Sequence, residues 1–212
     1  MAGCEKITSD ITNAIYALVH DPDSRDYWTK KPEITQEAFD LVNWASIGVA
    51  MSELKLSRRV FVAKHCSGMC GVEKFMKRWK EWDHDLCPRC GEPEDSPHVW
   101  LCTGFDANKV WETSMTTLNH WMNSVDTNPD IVEVVLELLR FWRTAQPTKD
   151  NPFAHLNQAW DNQIIVGGRR MFEGWVVRDW ETLQQQYYNI IHSRRSGKRW
   201  MIEFIKKLWN IA

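Results

Sequence analysis

The sequence predicts a mainly α fold: a helical bundle into which a small Cys-Cys-His-Cys knuckle-plus-helix is inserted. Two observations carry this. Apolar residues recur at three- and four-residue spacing through most of the 212 residues, and no stretch of five or more shows the period-two alternation of a half-buried strand. Midway, Cys87, Cys90, His98 and Cys102 stand at a spacing that breaks the helical pattern and needs its own explanation.

The elements follow in order. Residues 1–52 read as a helical N-terminal segment with turns at Asp21-Pro22-Asp23 and Lys31-Pro32. Thr35 is placed to cap a helix carrying Phe39, Val42, Trp44 and Ile47 inward. Residues 53–106 form a second segment of basic helices and the cysteine cluster. One helix starts near Ser57, carries Val60, Phe61 and Ala63, and stops at Ser67-Gly68. The next runs from about Val72 to Trp82 with Phe75, Met76, Trp79 and Trp82 as its apolar stripe and Lys74, Lys77, Arg78 and Lys80 between them. A solvated basic face is the plain reading of those cations.

Residues 107–212 return to helix. Val110, Trp111, Met115, Leu118, Trp121 and Met122 make one stripe, Thr127-Asn128-Pro129-Asp130 a turn, and Ile131 to Trp142 a strongly apolar helix. A linker from Gln146-Pro147 to Asn151-Pro152 follows. Phe172, Trp175, Val176, Leu183, Tyr187 and Ile191 predict one long helix, and Ser196-Gly197 separates it from a last one carrying Met201, Ile202, Phe204, Ile205, Leu208 and Trp209. The pattern is unfinished at Ala212, which reads as a truncated gene product or, alternatively, a short native C-terminus.

Composition narrows the function. A chain of this length hides roughly 70% of its unfolded surface, so a core forms without help from metal or disulfides. Thirteen tryptophans, spread from Trp28 to Trp209, read first as bulky anchors between packed helices. A net charge of −2 excludes a uniformly basic polymer binder, but the charge is patterned. Glu53 to Lys80 carries eight Lys/Arg against two Glu, Glu81 to Asp106 seven acids against Arg89, and His192 to Lys207 six Lys/Arg against Glu203. The N-terminal ten residues lack the basic and apolar regions of a secretory signal, and Ile131 to Trp142 is too short and too charged to span a bilayer. An intracellular, reducing setting is expected, nucleus or cytoplasm unresolved, where clustered cysteines more often hold metal than form disulfides.

The cluster makes chemical sense as a zinc site. Two cysteines separated by Pro88-Arg89 can turn both sulfurs toward one ion, with Gly91 free to adopt positive φ. His98 and Cys102, four apart, share one helix face. Ser96 suits the N-cap of that helix, Pro97 its first position and Gly104 its end. Three thiolates and an imidazole are the donor set of a tetrahedral structural zinc, with no position left for reactive water. The alternatives are ordinary buried cysteines or a redox Cys-x-x-Cys pair, the latter lacking the preceding strand it needs. His65, Cys66, Cys70 and His84 lie nearby and are weighed as a second site. Gly167-Gly168-Arg169-Arg170 lacks the spacing and lysine of a phosphate loop, and no nucleophile with a positioned base stands out, so no enzyme activity is expected.

The stretch from Lys64-His65-Cys66-Ser67-Gly68 through Trp82 into Cys87-Pro88-Arg89-Cys90-Gly91 and His98-Val99-Trp100-Leu101-Cys102 resembles the zinc-binding region downstream of reverse transcriptase domains in eukaryotic, protist-type retroelement proteins. Glu92-Pro93-Glu94-Asp95, Gly174-Trp175, Trp180, Gln184 to Tyr188, Arg194 to Trp200 and Lys206 to Trp209 are similar too. The likeness spans about Lys55 to the C-terminus, and only the metal motif is specific. It implies that Cys87, Cys90, His98 and Cys102 bind structural Zn2+ and that the region helps hold nucleic acid beside a polymerase. This chain has no Tyr-x-Asp-Asp signature, so the resemblance implies a detached piece that copies nothing alone.

Two partners follow as expectations. RNA or DNA of low sequence specificity would be met by Arg58, Arg59, Lys64, Lys77 and Arg78 in one basic block and by Arg194, Arg195, Lys198 and Arg199 in the other, with Trp79 and Trp200 for stacking. The acidic finger would repel phosphate and so braces the fold. Alternatively, the module is structural or binds protein, which the near-neutral charge favours. No membrane partner is expected.

Overall fold

The computed structural model describes residues 34–144 and 151–211, together with 23, 25–27, 29 and 30. The turns read at Asp21-Pro22 and Lys31-Pro32, the first part of the Gln146 linker, and Cys4 lie outside these. The fold is mainly helical, and among the described residues the only β pairing is two isolated bridges. No described helix is long and apolar enough to cross a membrane.

The chain divides into two compact units, Met1–Leu41 and Val42–Ala212. The first contains α1 (Gln36–Leu41), whose start is capped as expected: the Thr35 hydroxyl accepts from the Ala38 N–H at 3.1 Å.

The second unit opens on a break that the apolar pattern did not show. Val42 forms a bridge with Val177, and Asn43 caps α2 (Trp44–Ser52) by accepting from the Ser46 N–H. The expected helix through Phe39 and Ile47 is therefore two helices. Asn43 also donates to Glu181 at 2.7 Å, a long-range bond no local pattern encodes.

Helices α3 (Leu56–Cys66) and α4 (Glu73–Arg78) lead to the cysteine segment and its short helix α5 (His98–Leu101). Then come α6 (Phe105–Ser124), α7 (Pro129–Thr144), a 3-10 turn (Ala154–Leu156), α8 (Asn157–Val166), α9 (Gly168–Phe172), α10 (Arg178–Ile190) and α11 (Gly197–Leu208). The last helix packs against both α10 and α2, while α7 receives α6, α9 and α5. Trp200, Met201, Phe204, Ile205 and Leu208 bury one face of α11 almost completely, each large side chain contributing about 1.5–3 kcal/mol of transfer free energy. Ser196 accepts from the Arg199 N–H to cap α11, and a Cβ on Gly197 would stand 2.6 Å from the Glu181 carbonyl oxygen. That contact is why the two helices can approach so closely.

The long helix expected from Phe172 to Ile191 is also two. Helix α9 ends at Phe172, Gly174 takes φ +84°, and the chain runs extended to Val177 before α10 begins. Fully buried Gln163 secures this segment, donating to the Trp175 carbonyl and accepting from the Val177 N–H. The interruption shifts the helical phase, so the buried stripe of α10 is Trp180, Gln184 and Tyr188 rather than Leu183, Tyr187 and Ile191.

Two smaller departures matter for the site. Helix α4 is shorter than expected, ending at Arg78 with Lys80 at φ +63°, and buries none of its residues. Trp79 and Trp82 are 48% and 49% exposed, so they are not core anchors. In α3 the buried residues are Val62 and His65, whereas Val60 and Phe61 face outward.

Candidate metal centre

The knuckle is a tight two-stranded turn. Leu86 bridges Pro93, the Cys87 N–H donates to the Glu92 carbonyl at 2.7 Å, and the Gly91 N–H donates back to the Cys87 carbonyl at 2.8 Å. Gly91, at φ +78°, adopts the conformation that residue type was expected to supply. Across from it, α5 presents His98 and Cys102, joined by a Cys102 N–H to His98 carbonyl bond of 2.8 Å. The turn leading into this short helix is closed by Asp95, whose carboxylate accepts from the His98 N–H at 3.0 Å. Ser96, the expected cap, donates instead to the Gly68 carbonyl at 2.9 Å and ties the knuckle to the end of α3. Gly104 precedes α6, where a Cβ would press on the Arg89 backbone at 3.0 Å.

These turns bring four donor atoms together. The Sγ atoms of Cys87 and Cys102 are 3.8 Å apart, Sγ of Cys90 lies 3.2 Å from Nε2 of His98, and all four atoms fall within 4.8 Å of one another. A tetrahedral zinc would set sulfurs about 3.8 Å apart and sulfur and nitrogen about 3.5 Å apart. The donor set and the spacing therefore fit one closed-shell ion. Cys87 and Cys102 are buried, and burial pushes the Cys87 thiol up to about 11. A metal that replaces the proton offsets that cost.

The cluster is bound into the fold from three sides. Trp100 of α5, 6% exposed, stacks on Phe172 at 4.8 Å and meets His65 edge-on at 4.8 Å. Glu94 accepts from the Glu73 N–H through its carboxylate and from the Lys74 N–H through its carbonyl, so part of the acidic run closes the start of α4. From α7, Arg143 donates to the carbonyls of Trp100 and Cys102. Nothing in the local spacing pointed to Arg143. The apolar run of α7 marked its core face but not the partner of its last basic residue.

The second candidate set does not converge. Among the described residues, Cys87, Cys90, His98 and Cys102 are the one group of three or more potential ligands close enough for a metal. Nδ1 of His65 and Sγ of Cys70 are 3.7 Å apart, but Cys66 donates to the Glu173 carbonyl, and the half-exposed His84 ring accepts from the Leu86 N–H. Burial pushes the Cys66 thiol up to about 12. Burial also pushes His65 down to about 4, with Arg58 and Arg169 adding to the effect. Because the unfolded imidazole titrates near 6.5, the folded state should lose stability as pH falls from about 6.5 toward 4, by roughly 3 kcal/mol. A His65→Phe variant should lack that loss. The measurement is denaturant unfolding of both proteins across this range, where protonation of the metal thiols affects each equally.

The basic residues separate into two groups. Arg58 donates to the Trp209 carbonyl and to Asn210, and Arg59 caps the end of α2 through the Met51, Ser52 and Leu54 carbonyls. Lys77 pairs with Asp85 at 3.1 Å, Arg195 with Asp126 at 3.2 Å, and Arg199 with Glu53 and Glu203. The side chains of Lys64, Arg78, Arg194 and Lys198 make no hydrogen bond or ion pair among the described residues. Trp200 is buried and donates to Thr127, which removes it as a stacking platform.

Fold and site together define a helical protein carrying an inserted Cys3His cluster of metal-binding geometry. No family model matches the chain, and no curated protein or solved structure matches it.

Proposed function

We propose that this chain is a non-catalytic zinc module that contacts nucleic acid through α4 and the residues flanking it. One observation carries the choice of face. Trp79 and Trp82 are each about half exposed, and beside them Lys74, Arg78 and Lys80 extend side chains without ion-pair partners among the described residues. Exposed indoles interleaved with free cations suit sequence-tolerant binding by stacking and phosphate contact. The closed donor set supports a structural ion, and the likeness to the region downstream of retroelement reverse transcriptases supports the polymer partner. The second basic block contributes less in this reading, because Arg195 and Arg199 already meet acids of the fold.

The test combines metal analysis with titration of fluorescent single-stranded and duplex oligonucleotides at low and moderate salt. One zinc per chain and salt-sensitive binding are expected. Replacing Lys74, Arg78 and Lys80 by Gln should remove roughly two to three from the salt slope. Replacing Arg195 and Arg199, which are already paired within the fold, should do little. Absence of binding at low salt would overturn the polymer reading. A protein partner would then be favoured by the outward face of α3, where Leu56, Val60 and Phe61 are 73%, 47% and 38% exposed.

A further inference from the structure

The geometry points to Arg143 as the outer-sphere counter-ion of the metal centre, a positioning residue that couples metal retention to the docking of α5 on α7. The inference rests on the zinc reading above. A divalent zinc with three thiolates and a neutral imidazole carries a net charge of about −1, and the surrounding segment adds Glu92, Glu94, Asp95 and Asp106. Two guanidiniums stand against this charge: Arg89, exposed on the knuckle itself, and Arg143, brought in from α7.

Arg143 is partly buried and pairs with no carboxylate among the described residues. Its donors go to the Trp100 carbonyl at 3.2 Å, the Cys102 carbonyl at 3.1 Å and Oδ1 of Asn108. The first two are the carbonyls left open at the C-terminal end of the ligand helix, where a cation is favoured. The guanidinium also lies 4.7 Å above the Trp111 ring of α6. A planar fork can hold two carbonyls and stack on an indole at once, which an ammonium cannot. Burial lowers the basicity of this group, opposed by the neighbouring Glu112 and Cys102. One side chain thus holds the backbone carbonyl of a ligand residue and ties it to α6 and α7. Release of the metal would require this contact to open.

Such outer partners commonly alter metal affinity by about ten- to a hundred-fold. The experiment is zinc release to a colorimetric chelator from the full chain, followed for wild type, Arg143→Met, Arg143→Lys and Leu156→Ala. Leu156 is fully buried in the 3-10 turn packed on α8, so its truncation lowers global stability through a different part of the core. Thermal unfolding of each variant is measured alongside. Arg143→Met should release zinc at least ten-fold faster, Arg143→Lys should fall between it and wild type, and Leu156→Ala should match wild type. Release from Arg143→Met within two-fold of wild type would overturn the inference. So would a Leu156→Ala rate as fast as that of Arg143→Met, or a lysine variant no slower than the methionine one. A wild-type chain that holds no zinc would instead refute the metal reading itself.

Discussion

Cys102→Ser should abolish stoichiometric metal binding and unfold the knuckle while leaving the helical core intact. Cys102 is one of the two buried members of the cluster, and its loss leaves an incomplete donor set in which burial favours the protonated Cys87 thiol. In small zinc modules the metal contributes on the order of 10–16 kcal/mol to folding, far more than the apolar contacts of this segment can replace. Among the described residues, the ligands cluster with little else: Cys87, Cys102 and Ala107 pack together with Cys90 beside them. The rest of the chain has its own core in α6–α11, so the damage should be local. Far-UV circular dichroism should change little, because α5 has four residues. Limited proteolysis should cut between Trp82 and Gly104, and wild type treated with a strong chelator should show the same new sites. A variant that retains one zinc per chain would show that the four side chains are not the ligand set.

Trp180→Ala should be among the most damaging single truncations in the core. Trp180 is fully buried on α10, and removing its ring should cost about 3–5 kcal/mol through lost transfer energy and the cavity left behind. In a chain of this size each kcal/mol lowers the melting temperature by about 2–4 °C, so a fall of roughly 10 °C is expected. Trp79→Ala, at a half-exposed site, should stay within about 0.5 kcal/mol of wild type. Thermal melts of both variants settle the contrast. Equal losses would mean that Trp79 packs against something that its exposure does not show.

That contrast marks where the sequence was legible. Residue type and spacing identified the helices of the core, since Trp111, Met115, Leu118 and Met122 on α6 and the stripe of α11 are buried as their periodicity requires. The cysteine cluster was equally legible, because ligand pairs two and four apart impose their own short-range geometry. The same periodicity misplaced Trp79 and Trp82, since an apolar residue at the right spacing is buried only if another element covers it. No residue of α4 is buried among the described residues.

Helix boundaries failed for a related reason. Gly174 and Asn43 are also fixed by distant residues: a Cβ at Gly174 would stand 2.5 Å from Nε1 of Trp209, and Asn43, besides its local cap on Ser46, bonds to Glu181. No window of ten or fifteen residues contains both partners.

The sequence by itself determined the helical class, the main core faces and the four-residue metal motif, because each depends on interactions within a few positions of the chain. The tertiary structure alone decided which cations are paired within the fold. Arg59, Arg195 and Arg199 look identical in sequence to Lys64, Arg78 and Lys198, yet the first three are held by carbonyls or acids of the fold. It also supplied Arg143, forty-one residues beyond the Cys102 carbonyl it holds. Charge acts through space rather than along the chain, so the fate of a cation is set by whatever the folded helices bring beside it.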